Sequence, residues 1–362
     1  MPARFLTVSG GHATNPATKT VGSSVKVLGA DLGFGYTKAT DGRQYQVFKS
    51  VVGEATDVTF AEVLLPGAPQ HARHIEVGGR PYFVGELAEA QSRGRGFTLD
   101  QTQFLTQFCK ILALSALAPF AETNQPIRLV TGLPISFFRR HKDALTALLQ
   151  NRHPVVIIKA NGEREEKNIY IEKVRVIPQP FGSMFNLMLN DLGKASSQRF
   201  IQEKIGIIDI GFRTADYTIS DKTKFSERGS QSTDHGIAAA YTAIANLLQE
   251  KSGVNIELYR LYEAVTRGSI KIKGKRYDLS EVIKSAFQQL SAKIAAEVMR
   301  LWADDWDLDA IVITGGGGAV LAPFLAPLLE GEVLPMPPDV DARLNNVLGY
   351  WKYGMNIWPP AG

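Results

Sequence analysis

The core Asp-x-Gly-Phe occurs twice in this chain, as DLGF at Asp31 and as DIGF at Asp209, and its surroundings repeat with it. Each copy closes an apolar, β-favouring run, VKVLGAD or KIGIID. Each is followed by a further short strand and a polar turn, at Asp41-Gly42 in the first copy and Asp221-Lys222 in the second. Alternating β-favouring residues between Gly and Asp punctuation read as strands joined by hairpins. The Walker and Rossmann phosphate loops are thereby excluded, because both need a helix to open straight after the glycines. A chain with the same acid-and-glycine hairpin in two places reads as two lobes of similar plan, their carboxylates able to face one another across a gap.

Length agrees with two lobes, since 362 residues exceed the roughly 250–300 at which a single core stops growing. A content of 44% hydrophobic and 21% charged residues belongs to a soluble globular protein and sets disorder aside for most of the chain. The net charge of +4 is scattered and not gathered on one helix, so direct nucleic-acid binding is not expected. Cys109, the one cysteine, lies in the apolar stretch FLTQFCKILALSALA and reads as buried filler. With no internal disulfide possible, a reducing cytoplasm is the expected location. Residues 1–24 read as a flexible extension lacking the apolar core of a secretory signal, and no run of about twenty apolar residues suggests a membrane span.

Along the chain, a second hairpin is expected at Gly78-Gly79 and one helix around Thr102 to Ala118. IRLVTGL reads as a strand entering a Gly-Leu-Pro turn, with an amphipathic helix RRHKDALTALLQN behind it. Two strands flank Asn161-Gly162, a separate strand ends at Pro178, and FGSMFNLMLNDLG is a short helix. After the second Asp-x-Gly-Phe hairpin come helices in GIAAAYTAIANLLQEKSG, IELYRLYEAVTRG and LSEVIKSAFQQLSAKIAAEVMRLWAD, with a hairpin IKIKGKRYDL between the last two. ADDWDLD around Asp304 reads as loop surface; ITGGGGAVL as a strand, a glycine turn and a helix; and PDVDARLNNVLGYWKYG as a closing helix.

The chemistry follows from the repeated hairpins. Asp31 ends a buried strand, Gly33 and Gly35 leave backbone N–H groups open to an anion, and Lys38 adds a point charge. Asp31 can hold magnesium through the ion's water shell, because Mg2+ keeps several of its waters. Asp209, Gly211, Phe212, Arg213 and Thr214 repeat the arrangement. Either hairpin alone reads equally well as an Asp-Gly turn, whereas a facing pair suits a magnesium triphosphate gripped from both sides. The glycine run of ITGGGGAVL offers bare backbone to a base or ribose and a helix N-terminus to phosphate. The six histidines show no metal-ligand spacing, so no structural metal is expected.

In order, these segments resemble the actin, heat-shock chaperone and sugar-kinase superfamily. DLGFGYTK resembles phosphate loop 1, VIPQPFGSMF connect 1, IGIIDIGFRTADYT phosphate loop 2, ITGGGGAVL the adenosine loop and LNNVLGYWKYG connect 2. LVTGLPISFF, RGSIKIKGKRYDL and NNVLGYWKYG resemble segments of ParM-like plasmid-segregation actins in particular. The resemblance, which runs from Val25 to the end, implies an α/β, actin-like fold: a duplicated ribonuclease H-like pair of domains around a central nucleotide cleft. It divides the chain into the extension 1–24, a first domain of residues 25–184 plus 336–362, and a second of residues 185–335.

It also implies roles. Asp31 and Asp209 would bind Mg2+ through water, and Lys38 with the loop residues Gly33, Phe34, Gly35, Tyr36, Gly211, Phe212, Arg213 and Thr214 would contact phosphate. Gly315, Gly316 and Gly317 would touch the nucleotide, and Glu263 and Arg267 the ribose or base. Gln179 falls where the family places the residue that positions the attacking water, and many plasmid relatives carry Glu there. A neutral amide orients water and cannot take its proton, so hydrolysis is expected to be slow. The implied protein is an ATPase, with GTP as the alternative nucleotide, that polymerises with nucleotide bound, disassembles after hydrolysis and segregates plasmid or other DNA. A separate DNA-binding adaptor is its expected partner, and no membrane is. Two other readings stay open: a small-molecule kinase, which needs an Asp or Glu base aimed at a sugar or acid hydroxyl, and a scaffold that binds nucleotide without hydrolysing it.

Overall fold

The computed structural model describes residues 25–55, 73–159, 161–336 and 341–359, so the extension expected at 1–24 lies outside the described residues. The first hairpins form as the alternation requires: β1 (Lys26–Leu32), β2 (Tyr36–Thr40) and β3 (Tyr45–Lys49) make an antiparallel meander. Next come β4 (Val52–Glu54), β5 (Arg73–Val77), β6 (Arg80–Val84), α1 (Glu86–Gln91) and the short β7 (Arg95–Gly96). They are followed by α2 (Gln101–Phe104), α3 (Gln107–Leu117), β8 (Pro126–Leu133), α4 (Ile135–Leu149), β9 (Asn151–Ile158), β10 (Arg164–Pro178) and α5 (Pro180–Met188). The ten strands form one sheet in the order β3-β2-β1-β8-β10-β9-β5-β6-β4-β7, with β8 parallel to both β1 and β10.

A second half begins with α6 (Gln198–Gln202) and the meander β11 (Lys204–Ile210), β12 (Ala215–Asp221) and β13 (Lys224–Thr233). Then follow α7 (Ala238–Ser252), a 3-10 turn at Leu258–Leu261 running into α8 (Tyr262–Arg267), the hairpin β14 (Ser269–Ile272) and β15 (Lys275–Asp278), and the long α9 (Ser280–Leu301). The half closes with β16 (Ala310–Thr314), α10 (Gly315–Leu325) and β17 (Val333–Pro335). Its sheet order, β13-β12-β11-β16-β17, repeats β3-β2-β1-β8-β10, with parallel pairs β11-β16 and β16-β17 where the first sheet has β1-β8 and β8-β10. The duplicated motif is therefore a duplicated topology, an actin-like two-domain α/β fold.

Burial explains why these segments are so apolar. From Ile205 to Ile210 every residue of β11 is buried, as in a parallel strand covered on both faces. Helix α3 is buried at every position from Ile111 to Leu117, with Cys109 fully enclosed. The last helix, α11 (Asn345–Ile357), returns to the first half and packs on α5, β1 and β8. Its approach to α5 is possible because Gly349 meets Gly182 there: a Cβ on Gly349 would lie 1.7 Å from the Gly182 carbonyl oxygen.

Several expectations change. The strand expected to end separately at Pro178 is the second part of one 15-residue strand, bent by a register shift between Ile171 and Lys173. The helix around Thr102 breaks into α2 and α3, where the Thr106 hydroxyl caps α3 by accepting from Phe108 N at 3.4 Å. Gly132 is still paired in β8 and α4 opens directly after Pro134, so Gly-Leu-Pro is a strand-to-helix junction. The acidic run is not all surface, since Asp305 is buried on Lys204 at 3.0 Å and Arg228 at 2.6 Å. Among the described residues no helix is long and apolar enough to cross a membrane.

Candidate functional site

Between the two sheets lies a cavity of about 210 Å³, lined by both Asp-x-Gly-Phe hairpins, Gln179, Asn346 and the first glycines of α10. The topology puts them there because β1 and β11 occupy equivalent places in equivalent sheets and end at the same gap. Asp31 and Asp209 sit at those strand ends, each 3% exposed.

Their environments differ, and the strand register gives the reason. Asp31 is paired across the hairpin with Lys38, whose ammonium lies 2.8 Å from Oδ2. Gln179, placed by the end of β10, donates Nε2 to Asp31 Oδ1 at 3.3 Å. In the second hairpin the position opposite Asp209 is held by Asp216. The cation of the first copy is an acid in the second. Burial pushes the Asp209 carboxyl up to about 7; the Asn346 hydrogen bond opposes this, and the nearby charges of Asp216 and Asp31 add to it. Asp216 is raised as well, chiefly by burial. It accepts from Thr214 Oγ1 at 2.9 Å and from Ile135 N at 3.0 Å, and so caps helix α4 of the other half.

Asn346, which sequence reasoning missed, donates Nδ2 to Asp209 Oδ2 at 2.7 Å. Its amide is oriented by Ser183, whose hydroxyl donates to Asn346 Oδ1 at 2.7 Å and contacts Thr314 Oγ1 at 2.9 Å. Gly315 has φ +83°, and a Cβ there would lie 2.4 Å from Asp209 Oδ1. The glycine run therefore forms the first turn of α10 and not a turn before it. Gly35 is equally constrained, because a Cβ would lie 2.8 Å from Phe212 Cγ, where the two hairpins interlock.

Of the expected residues, Asp31, Gly33, Phe34, Gly35, Tyr36, Lys38, Gln179, Asp209, Gly211, Phe212, Arg213, Thr214, Gly315, Gly316 and Gly317 all line this one cavity. Glu263 and Arg267 do not; their exposed side chains give way to Tyr262 and Thr266 on the cavity wall. Tyr262 carries the large ring of this short helix and is 6% exposed, so it takes the inward position and the charged Glu263 and Arg267 stay outside. Arg343 is a second missed residue: its guanidinium lies 5.1 Å from the Tyr36 ring centroid, held by Asp341 at 2.7 Å. Masked to sequence by their late position, Asn346 and Arg343 arrive on the segment that leads into and begins α11.

The donor set fits a magnesium-bound polyphosphate. Backbone with no Cβ approaches the gap from Gly33, Gly35, Gly211 and Gly315, one buried carboxylate carries a lysine, and the other has no ion pair among the described residues. Among the described residues, Arg213 Nη1 is buried without a hydrogen-bond partner. Tyr36, Tyr262, Thr266, Gly316 and Arg343 also line the cavity, with the Tyr36 and Tyr262 ring centroids 5.1 Å apart and Arg343 beside both Tyr36 and Gly316.

A family model described as "Actin like proteins N terminal domain" matches residues 29–182, and one described as "Archaeal actin homologue MreB-like, C-terminal" matches residues 207–326. Among solved structures, a non-polymerisable quadruple mutant of pCBH ParM is 25% identical over 91% of this chain and 99% of its own, with TM-score 0.75. A 15-stranded ParM filament from Clostridium botulinum is 24% identical, covering 91% of this chain and 98% of that one, with TM-score 0.77. An archaeal actin homologue in complex with ADP is 18% identical over 90% of this chain and 98% of its own, with TM-score 0.72. No curated protein matches the chain.

Proposed function

This chain belongs to the actin-like proteins of the ParM type, and we propose that it is a Mg2+-dependent ATPase whose nucleotide state controls its assembly into filaments. The observation that carries the reading is that Asp31 and Asp209, from equivalent strands of two sheets, face one cavity with Lys38 and Gln179 beside the first and Asn346 beside the second. ATP is favoured by the ADP bound in the archaeal homologue, with GTP as the alternative.

In this reading the hairpin N–H groups at Gly33–Tyr36 and Gly211–Thr214 and the Lys38 ammonium bind phosphate, while Asp31 and Asp209 hold Mg2+ through water. The ion, when bound, supplies charge neutralisation of the phosphates. Gly315, Gly316 and Gly317 meet the nucleotide backbone-on. Tyr262, Thr266 and Arg343 take the base end, in place of Glu263 and Arg267. Gln179 orients the attacking water: its backbone N–H donates to Leu133 O at 2.8 Å and its amide is tied to Asp31, so the group is fixed but has no basic atom. Slow turnover follows. The domain division proposed is 25–184 plus 336–362 against 185–335, which the packing of α11 on α5 and β1 supports.

Self-association draws support from the filament structure of the Clostridium botulinum relative. A cytoplasmic role in moving plasmid or other DNA through an adaptor protein belongs to the same proposal. The test is sedimentation and electron microscopy with and without ATP and Mg2+, alongside phosphate release. Filaments that need nucleotide, and release that rises with protein concentration, support it; a protein that stays monomeric in every nucleotide state refutes the filament claim. A small-molecule kinase is disfavoured by Gln179, which offers no base to a substrate hydroxyl.

A further inference from the structure

We infer that a second cavity, in the first half and apart from the nucleotide cleft, binds a small organic monocarboxylate seated on Arg73. The cavity measures about 270 Å³ and, among the described residues, shares no lining residue with the cleft, so the inference does not rest on the nucleotide reading. Strand register orders its walls. Ile75 of β5 pairs with Ile157 of β9, and Ile157 with Glu165 of β10, so the three side chains stand in one row on one face of the sheet. Arg73, two residues before Ile75, and Lys167, two after Glu165, share that face at opposite corners. His74 is turned to the other face, where its ring meets Phe83 with centroids 4.7 Å apart, and it brings only backbone to the cavity. Ser115 and Ala118, one turn apart at the end of α3, complete the lining.

The two corners differ in what they still need. Lys167 is satisfied: Nζ lies 3.2 Å from Glu165 Oε1 and donates to Ala118 O at 3.2 Å and Ala121 O at 3.4 Å. Arg73 is not. Its Nη2 donates to Gln46 Oε1 at 2.6 Å, and its guanidinium lies over Phe48 with its centre 4.3 Å from the ring centroid. Both neighbours are neutral, and among the described residues Arg73 forms no ion pair and no other hydrogen bond. Burial disfavours its charge, and Glu86, whose charge favours it, is too far away to pair with it.

A guanidinium fixed by an aromatic face and an amide is a preformed seat for an anion, because its fork is already oriented when the ligand arrives. One uncompensated positive charge calls for one negative charge, which a carboxylate supplies and a phosphate dianion exceeds. The row beside Arg73 sets the rest of the ligand. Ile75 and Ile157 make an apolar floor, and at the far end Glu165 and Lys167 are already paired and offer no further charge. A short aliphatic body thus lies on the isoleucines with its carboxylate on Arg73.

Methyl NMR of the full chain, labelled at isoleucine and without added nucleotide, tests this by titration with hexanoate and with its neutral counterpart hexanamide. Ile75→Val and Ile157→Val assign the two floor signals. Hexanoate is expected to shift both saturably at millimolar concentration, and hexanamide to bind at least about tenfold more weakly. Arg73→Gln should weaken hexanoate by roughly tenfold or more, to the level of hexanamide, and Arg73→Lys should fall between. Ser115→Leu, which fills the cavity from α3, should abolish binding of both. Absence of a saturable shift at Ile75 and Ile157 overturns the inference and leaves a water-filled cavity. Equal binding of the two probes overturns it in favour of an apolar hole with no anion seat. Unchanged hexanoate binding in Arg73→Gln also overturns it, as does unchanged binding in Ser115→Leu should Arg73→Gln fail to fold. With nucleotide absent throughout, none of these outcomes bears on the nucleotide reading.

Discussion

The Asn346 amide donates to the Asp209 carboxylate at 2.7 Å, tying the final helix of the chain to a strand end in the opposite half. That bond is the largest influence holding down a carboxyl which burial, with the charges of Asp216 and Asp31, pushes up to about 7. Because the folded value lies above the ordinary carboxyl value of 3.8, the folded protein holds a proton that the unfolded chain releases, and this group's contribution to stability is lost as pH rises from about 4 through about 7. Asp209→Asn should therefore make the protein without added nucleotide more stable at pH 8 by on the order of 1–3 kcal/mol, read by urea titration, while Mg2+-dependent nucleotide binding is lost. In the parent, nucleotide affinity should rise with pH through about 7 as the carboxylate ionises, and Asn346→Leu should move that midpoint upward. An affinity flat from pH 6 to pH 8 contradicts the assignment.

Lys38 is the sole cation bonded to Asp31 among the described residues, and the side chains are 12% and 4% exposed. Lys38→Met leaves a buried carboxylate without its partner. A loss of about 3 kcal/mol in unfolding free energy and at least a tenfold fall in nucleotide affinity are expected, by urea titration and calorimetry.

Gln179 contacts Asp31 without carrying it as an ion pair. Gln179→Ala is expected to reduce the rate of phosphate release by roughly a hundredfold while changing nucleotide affinity by less than about threefold. Gln179→Glu supplies a basic oxygen and should hydrolyse faster than Gln179→Ala. Single-turnover release beside equilibrium binding separates the two effects.

Gly315→Ala places a methyl group 2.4 Å from Asp209 Oδ1 and 2.5 Å from Ile210 O, on backbone with φ +83°. Both strain and collision act at once. We expect at least about 2 kcal/mol of destabilisation and no measurable nucleotide binding, whereas Gly331→Ala, at φ +87° but with open space around it, should bind normally.

The hairpins at Asp31 and Asp209 were legible because strand alternation and turn chemistry are local, and the placement of the two acids followed from their sequence alone. The partners of those acids were legible only in part. Lys38 lies within its own hairpin, seven residues on, while Asn346 reaches Asp209 over a separation of 137 residues that no periodicity reports. On α8 the buried ring of Tyr262 decides the inward face, so Tyr262 and Thr266 line the wall where the resemblance implies Glu263 and Arg267. The join of two expected strands into β10 was hidden because a bulge looks, in sequence, like a break in alternation.

Helix α3 seals the thiol of Cys109 inside the first half, with its sulfur driven up to about 12 by burial. Because the chain has no other cysteine, its surface is inert to thiol reagents. A cysteine introduced on an exposed helix would be the single reactive handle, so a fluorophore could be attached at one chosen point and the proposed assembly followed under the microscope without first stripping native reactivity from the protein.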